Sequence, residues 1–292
     1  MRGRDQQVQG LLSPSGTAAF VNGNFIEEAV LKRTFEQDEI RQVVHLAAIR
    51  GGGNASPEQF QEVNVKGTET LLRQAYEHNV ERFIFCSSVG VYGTIPEEVP
   101  AGIDTPLCGD NQYHRSKIAA EQVVKGYIQR GLNAYIVRPL ITYGSGDNGF
   151  PQALVRLVRR RLLLRPGTDH PIHLVSVERL AEIFQSLILK NQPQRVFIGA
   201  DVAPVSLSGL IDWIHWHFYR QPYPHYLRLP DRCFRVALSA FESIGNEKWA
   251  SRMALLSKAW FYECADTYRL LDVNPIPTRE AFGRFLQQDF PR

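Results

Sequence analysis

Apolar positions along the chain follow two rhythms. At residues 27–38 they recur at helical spacing through Ile26, Val30, Leu31 and Phe35, and residues 58–79 and 109–130 read as longer amphipathic helices. Compact, continuously apolar runs lie between them at 42–48, 82–86 and 134–137, each bounded by polar or small residues. Such runs predict strands buried on both faces. Alternating with helices of this length, they predict a parallel sheet covered on both sides, an α/β fold. Beyond residue 145 the pattern predicts a helix over 151–161 with a basic face, a strand at 172–175, a helix over 177–189 and a last buried strand at 195–198. From Asp201 the chain reads as helical and aromatic-rich, with turns at Pro222, Pro224 and Pro230. At the front, residues 1–17 are polar. A short apolar run at 18–21 then precedes the turn signal Asn22-Gly23-Asn24.

Composition narrows the class. With 292 residues, 44% of them hydrophobic and 22% charged, the chain can bury a sizeable core and is neither disordered nor disulfide-dense. The 33 basic and 30 acidic residues leave a net charge of +3, which argues against a dedicated nucleic-acid binder. Cys86, Cys108, Cys233 and Cys264 lie far apart with no CxxC pair, which fits neither a zinc site nor a disulfide framework and points to a reducing compartment, the cytoplasm. The eight histidines do not cluster at metal spacing, so no metal site is expected. No run approaches the roughly 18 apolar residues of a membrane span, and no apolar stretch follows the charged first residues, so no secretory leader is expected.

The sharpest chemical signal is Ser88 together with Tyr113-His-Arg-Ser-Lys117. Tyr113 and Lys117 are four apart on the helix predicted over 109–130 and share a face. A free phenol has a pKa near ~10; a neighbouring ammonium favours the phenolate and lowers it. A phenol so tuned can exchange a proton with a carbonyl or hydroxyl while hydride moves to a nicotinamide. Ser88 ends a strand, so its hydroxyl lies at the carboxyl edge of the sheet, where open α/β folds bind ligands. Alone, the YxxxK spacing is an ordinary neighbour pair on a helix.

More of the pattern follows in order. Phe83-Ile-Phe-Cys-Ser-Ser-Val-Gly-Val-Tyr-Gly93, with Tyr113-xxx-Lys117 after it, resembles the extended short-chain dehydrogenase/reductase family, in its NAD-dependent epimerase/dehydratase branch. Asn22-Gly-Asn-Phe25 resembles the family's GD-hydrophobic motif, His45-Leu-Ala-Ala48 its HxAA strand end, and Asn64-Val-Lys-Gly67 its NVxG motif. Arg138-Pro139 with Tyr143-Gly144 resembles RPxxxYG, and Ser176-Val-Glu-Arg-Leu-Ala181 resembles HVDDxA.

The resemblance implies a Rossmann-type sheet in residues 1–145, to which the strands near 172–175 and 195–198 return, and a smaller, mainly helical substrate region in 146–292. It implies NAD or NADP as cofactor, held by Asn24, Phe25, Leu46, Ala47, Ala48, Asn64, Tyr113, Lys117 and Pro139. The implied catalytic residues are Tyr113 as acid–base, Ser88 as the substrate hydrogen bond, and Lys117 as partner of the nicotinamide ribose. Arg50, Ser88 and Tyr143 are implied to contact substrate, a nucleotide sugar or a related alcohol or ketone. A homodimer is one further implied assembly; nucleic acid and membrane are not. Dehydratases of the branch carry Asp-Glu just after the serine. Val89-Gly90 stands there instead, which discounts dehydration and leaves epimerase or reductase.

The family opens with a strand, a GxxGxxG turn and a helix, and no such unit precedes Asn22. The expectation is that the first strand, the diphosphate loop and the first helix are absent, Arg2 to Asp5 being a remnant. The alternatives are a catalytically silent member acting as a binding protein, or a longer protein carrying the unit upstream. Gly144-Ser-Gly146-Asp-Asn-Gly149 spells GxGxxG with Asp169 about 20 residues on, but it reads as the loop at the mouth of the substrate pocket, and Asp169 sits in a turn. Gly51-Gly52-Gly53 reads as a flexible loop near the cofactor. Arg156, Arg159, Arg160, Arg161 and Arg165 form either a solvated helix face or a site where one or two guanidinium groups bind a nucleotide diphosphate.

Overall fold

The computed structural model describes residues 21–51, 55–147 and 149–291. The polar opening, most of the 18–21 run, the Ser13–Gly16 stretch, Gly52 and Gly53 lie outside them.

Helix α1 (Glu28–Gln37) buries the i,i+4 pair Leu31 and Phe35. Strand β1 (Gln42–His45) stops three residues short of the expected end at Ala48. Just beyond, the Asn64 side chain donates to the Ile49 carbonyl (3.0 Å) and accepts from the Ile49 N–H (2.8 Å), which holds the departing chain as a loop. The expected 58–79 helix is three stretches in one rod: α2 (Pro57–Phe60), a π-helical segment (Gln61–Lys66) and α3 (Gly67–Glu77). Ser56 and Gln59 start it with a reciprocal capping box. The π segment carries Asn64; wider turns of this kind re-aim side chains and are frequent at functional sites.

Next come β2 (Arg82–Cys86), α4 (Gln112–Gln129), β3 (Ala134–Pro139) and β4 (Ile141–Tyr143), then α5 (Phe150–Arg159) and β5 (Arg165–Pro166). The run expected at 172–175 divides at His173 into β6 (Pro171–Ile172) and β7 (Leu174–Ser176). Helix α6 (Val177–Leu189), β8 (Val196–Gly199), β9 (Val205–Ser206) and α7 (Leu207–Tyr219) follow. The chain continues through β10 (Arg228–Leu229), the hairpin of α8 (Asp231–Ser243) and α9 (Glu247–Ser257), α10 (Ala265–Leu271) and α11 (Thr278–Asp289).

The main sheet of the described residues is parallel throughout, in the order β1-β2-β3-β8. Alternate residues point to opposite faces. Phe83, Phe85 and Ile136 pack with Leu31, Leu72 and Val124 from α1, α3 and α4. Ile84, Tyr135 and Val137 pack with Ile183, Leu187 and Leu271 from α6 and α10. The sheet is therefore covered on both faces, as the continuous apolar runs require. β6 and β7 stay out of it: β6 pairs antiparallel with β9 and β7 parallel with β4. Between them the buried His173 ring bonds the Asp201 carbonyl at 2.8 Å. A third core, built on Tyr143, Leu154, Trp260 and Phe282, lies under this second half. All four cysteines are free thiols. Among the described residues no helix is long and apolar enough to cross a membrane, and no cluster of His, Cys, Asp or Glu could hold a metal ion.

Candidate active site

The site forms where β2 runs out. Ser88 ends the extended segment and caps a 3-10 turn (Val89–Tyr92), its Oγ accepting the Gly90 N–H at 3.0 Å. Across from it α4 begins, capped by Asn111, whose side chain accepts the His114 N–H at 2.9 Å. Tyr113 and Lys117 project from one face of this helix. The Ser88 hydroxyl stands close enough to the Tyr113 phenol to favour its phenolate. Lys117 is buried, donates to the Cys86 carbonyl at 2.7 Å and lies 4.6 Å from the centre of the Phe85 ring. The three residues singled out in the sequence are thus brought together at the carboxyl edge of the sheet.

Their electrostatics differ from the expected scheme. Burial pushes the Tyr113 phenol up to about 12, against the Ser88 hydroxyl and the Arg50 charge, which favour the phenolate. Burial lowers Lys117 to about 8, opposed by Cys86 and Glu121. Lys117 was expected to tune Tyr113. Its ammonium is instead drawn beneath the strand end toward the Cys86 carbonyl, and the cation that acts on Tyr113 is Arg50. Arg50 is itself exposed and paired with Asp147 at 3.6 Å.

The remaining sequence candidates divide sharply. Asn24 and Phe25 sit at the entry to α1, where the Phe25 ring meets His45 edge-on at 5.4 Å and presses on Gly67; a Cβ at Gly67 would lie 2.8 Å from it. Leu46 is 59% exposed, and it and Ala47 leave the end of β1 bare at the sheet edge, with Ala48 half-buried behind them. Pro139 ends β3 opposite Gly199. Asn64 turns inward: besides Ile49 its amide reaches Ser116 Oγ at 2.9 Å, so its polar atoms tie the loop after β1 to α4. The substrate role expected for Tyr143 does not hold. Pairing of β4 with β7 turns its ring into the core against Phe282 and Phe285, 1% exposed, and its hydroxyl donates to Asp201 at 2.6 Å. Among the other motifs, Asp169 accepts from Ser206 Oγ and the Ser208 N–H, capping α7. In the Gly144–Gly149 loop the Asp147 carboxylate takes the Gly149 N–H at 2.9 Å. A carboxylate at that helix start opposes a pyrophosphate there, in keeping with the pocket-mouth reading of the loop.

A model of the NAD dependent epimerase/dehydratase family matches residues 2–180. The chain belongs to this family. Among curated relatives, the UDP-glucose 4-epimerase of Halalkalibacterium halodurans is 28% identical over 72% of this chain and 58% of its own length, and that of Erwinia amylovora 33% over 53% and 51%. The chain spans about half the length of the curated relatives it matches. Among solved structures, an enzyme of Bordetella bronchiseptica, WbmG, in complex with NAD and UDP superposes with a TM-score of 0.72 at 16% identity, covering 96% of this chain and 82% of that one. The UDP-glucose 4-epimerase of Thermotoga maritima gives 0.69 at 16%, covering 98% and 93%. At these identities the structures establish the Rossmann-type fold.

In this member of the epimerase/dehydratase family, the sequence reading passed over the buried charge network beneath the site. Arg138 pairs bidentately with Glu121 (2.9 and 2.7 Å) and donates to the Tyr92 hydroxyl at 2.5 Å, while Ser87 Oγ donates to Glu121 at 2.6 Å. These bonds lock β2, α4 and β3 at the level of Ser88. A signal was available: Glu121 lies one further turn beyond Lys117 on the same helical face. Asp201, also passed over, accepts from Tyr143, Thr278 Oγ1 (2.8 Å) and the Ser176 N–H (3.0 Å).

Proposed function

We propose that the protein is an NAD(P)-dependent epimerase of a nucleotide sugar, with a UDP-linked hexose as the substrate class. The observation that carries this reading is the Tyr113 phenol set beside the Ser88 hydroxyl, with the buried Lys117 ammonium one helical turn away. The residues present fit the nicotinamide and ribose half of the cofactor. Lys117 holds one acceptor at Cys86 and keeps further N–H donors. Gly51 packs close enough that a Cβ there would lie 3.3 Å from Tyr113, and Ala47 and Ala48 leave the adjoining sheet edge low. The cofactor, when bound, takes up and returns the hydride. The protein's part is proton handling and positioning. Ser88 donates to the reacting oxygen of the sugar. Tyr113 Oη takes the proton from that oxygen as the ketone forms and gives it back as the inverted alcohol forms. At about 12 the phenol is almost wholly protonated near neutral pH, so Arg50, Ser88 and bound cationic charge must together favour the phenolate. The named relatives support this reading, since those matched are UDP-glucose 4-epimerases.

The experiment is incubation of the full chain with NAD or NADP and a panel of UDP-sugars, read by NMR for the epimer. Appearance of an epimer, lost in Tyr113→Phe, is the expected result. Cofactor binding without any epimer would favour a silent, ligand-binding member instead.

A further inference from the structure

We propose that His114 contacts the substrate, its Nε2 receiving a hydrogen bond from a sugar hydroxyl, and that Asp110 is the residue that positions it. This rests on the nucleotide-sugar reading above and extends its recognition site beyond Ser88 and Tyr113.

His114 follows Tyr113 on the first turn of α4, and its ring covers Gly90. A Cβ at residue 90 would lie 2.3 Å from both Cδ2 and Nε2 of His114, and 3.2 Å from Ser88 Oγ. Glycine is therefore required for the ring to occupy this place, and the Nε2 edge lies within a few ångströms of the Ser88 hydroxyl, beside the Tyr113 phenol. The side chain is 12% exposed. Its other edge is tied down. Nδ1 bonds Asp110 and lies 2.8 Å from Asn111 Nδ2. Asp110 is in turn fixed by the Thr94 N–H at 2.7 Å and Asn111 Nδ2 at 3.1 Å. Burial pushes its carboxyl up, but the bonds from His114 and Thr94 more than offset this and hold it at about 2.

The hydrogen-bond inventory then sets the tautomer. A carboxylate only accepts and an amide N–H only donates, so the charge-assisted pair with Asp110 puts the proton on Nδ1, and Asn111 finds its acceptor in Asp110. Nε2 is left with a lone pair. It takes no hydrogen bond among the described residues. A lone pair beside two hydroxyls matches a polyol presenting an O–H donor next to its reacting carbon.

The test uses the full chain with three variants and two readouts. Nitrogen-15 NMR of the histidine rings at mildly alkaline pH is expected to show His114 protonated at Nδ1 and bare at Nε2; the opposite tautomer overturns the proposal. In calorimetry, His114→Phe keeps the ring over Gly90 and removes the lone pair. It is expected to weaken UDP-sugars roughly tenfold, about one hydrogen bond, while the affinities for UDP alone and for NAD stay as in wild type; the melting temperature falls because the bond to Asp110 is lost too. His114→Gln should restore part of the loss. Asp110→Asn, which turns Nε2 into a donor, should reproduce it. Unchanged UDP-sugar affinity in His114→Phe, or an equal loss for UDP and NAD, overturns the proposal. If the wild type binds NAD and no UDP-sugar, the substrate reading is what fails, and the tautomer alone decides for or against the Asp110–His114 pair.

Discussion

Two tyrosines, Tyr113 on the first turn of α4 and Tyr143 at the end of β4, each have a polar neighbour and a phenol pushed up by burial, yet their surroundings differ in kind. Tyr113 is half-buried, beside the neutral Ser88 hydroxyl and acted on by the Arg50 cation. Tyr143 is sealed between Phe282 and Phe285 and donates to the Asp201 carboxylate, whose charge drives its phenol further upward. A phenol facing a carboxylate in an apolar cavity is a fixed donor. A phenol facing a hydroxyl and cations at an open edge can give up its proton. The sign of the nearest charge, more than residue type or motif position, separates the phenol proposed as acid–base from the structural one.

The contrast is broken most visibly by activity. Tyr113→Phe is expected to cut epimer formation by about 10²-fold or more, the usual scale for an acid–base group, with little change in melting temperature. A mutant turning over as fast as wild type would remove Tyr113 from the reaction.

Asp201→Ala probes the other pole. It strands the Tyr143 and Thr278 hydroxyls and the Ser176 N–H in the core. Three lost bonds with their donors left buried should cost roughly 3 kcal/mol, read as a lower denaturant midpoint with unchanged slope. A loss within a few tenths of a kcal/mol would show that the hub is not structural.

Lys117 sharpens the comparison through pH. Its folded value of about 8 lies below the ordinary lysine value. Between the two, the unfolded chain binds the extra proton, so stability rises with pH across that window, and the cost is present in full below about 8. Lys117→Met should therefore exceed wild type in stability at neutral pH, by on the order of 2 kcal/mol. The gap should close as pH rises from about 8 toward the free-lysine value. A gap that does not vary with pH would contradict the burial of a charged Lys117.

The smallest effect is expected for Tyr143→Phe: about 1 kcal/mol of stability, because Asp201 retains Thr278 and Ser176, and epimer formation within twofold or so of wild type. Turnover falling with Tyr143 as it does with Tyr113 would return Tyr143 to the site.

What the sequence could show follows the same division. The parallel sheet was legible because Phe83–Cys86 of β2 and Ala134–Val137 of β3 are unbroken apolar runs, a local signature. So was the grouping of Ser88, Tyr113 and Lys117, which needs only a strand end and one helical turn. The end of β1 was not legible, since its pairing with β2 stops at His45 and the loop beyond is held by Asn64 from fifteen residues after Ile49. Nor was the break at His173, where two short ladders meet that have no common sheet. Tyr143 was misread because a motif gives an order along the chain, whereas its direction is set by β4 pairing with β7. Asp201 and Glu121 were missed because their partners converge only in the fold. The Arg run resolves in part: Arg165 is buried against Asp212, while Arg156, Arg159, Arg160 and Arg161 line a cavity of about 700 Å³ with Tyr219 and Phe290.

The central claim is hydride transfer at the edge where Tyr113 meets Ser88. It is tested most directly with a UDP-hexose deuterated at the carbon that inverts, incubated with the full chain, cofactor and ordinary water. The account predicts an epimer that keeps its deuterium at that carbon, because the label leaves as hydride and returns without meeting solvent. Loss of the label to water, or no epimer from any UDP-hexose with either cofactor, would contradict it.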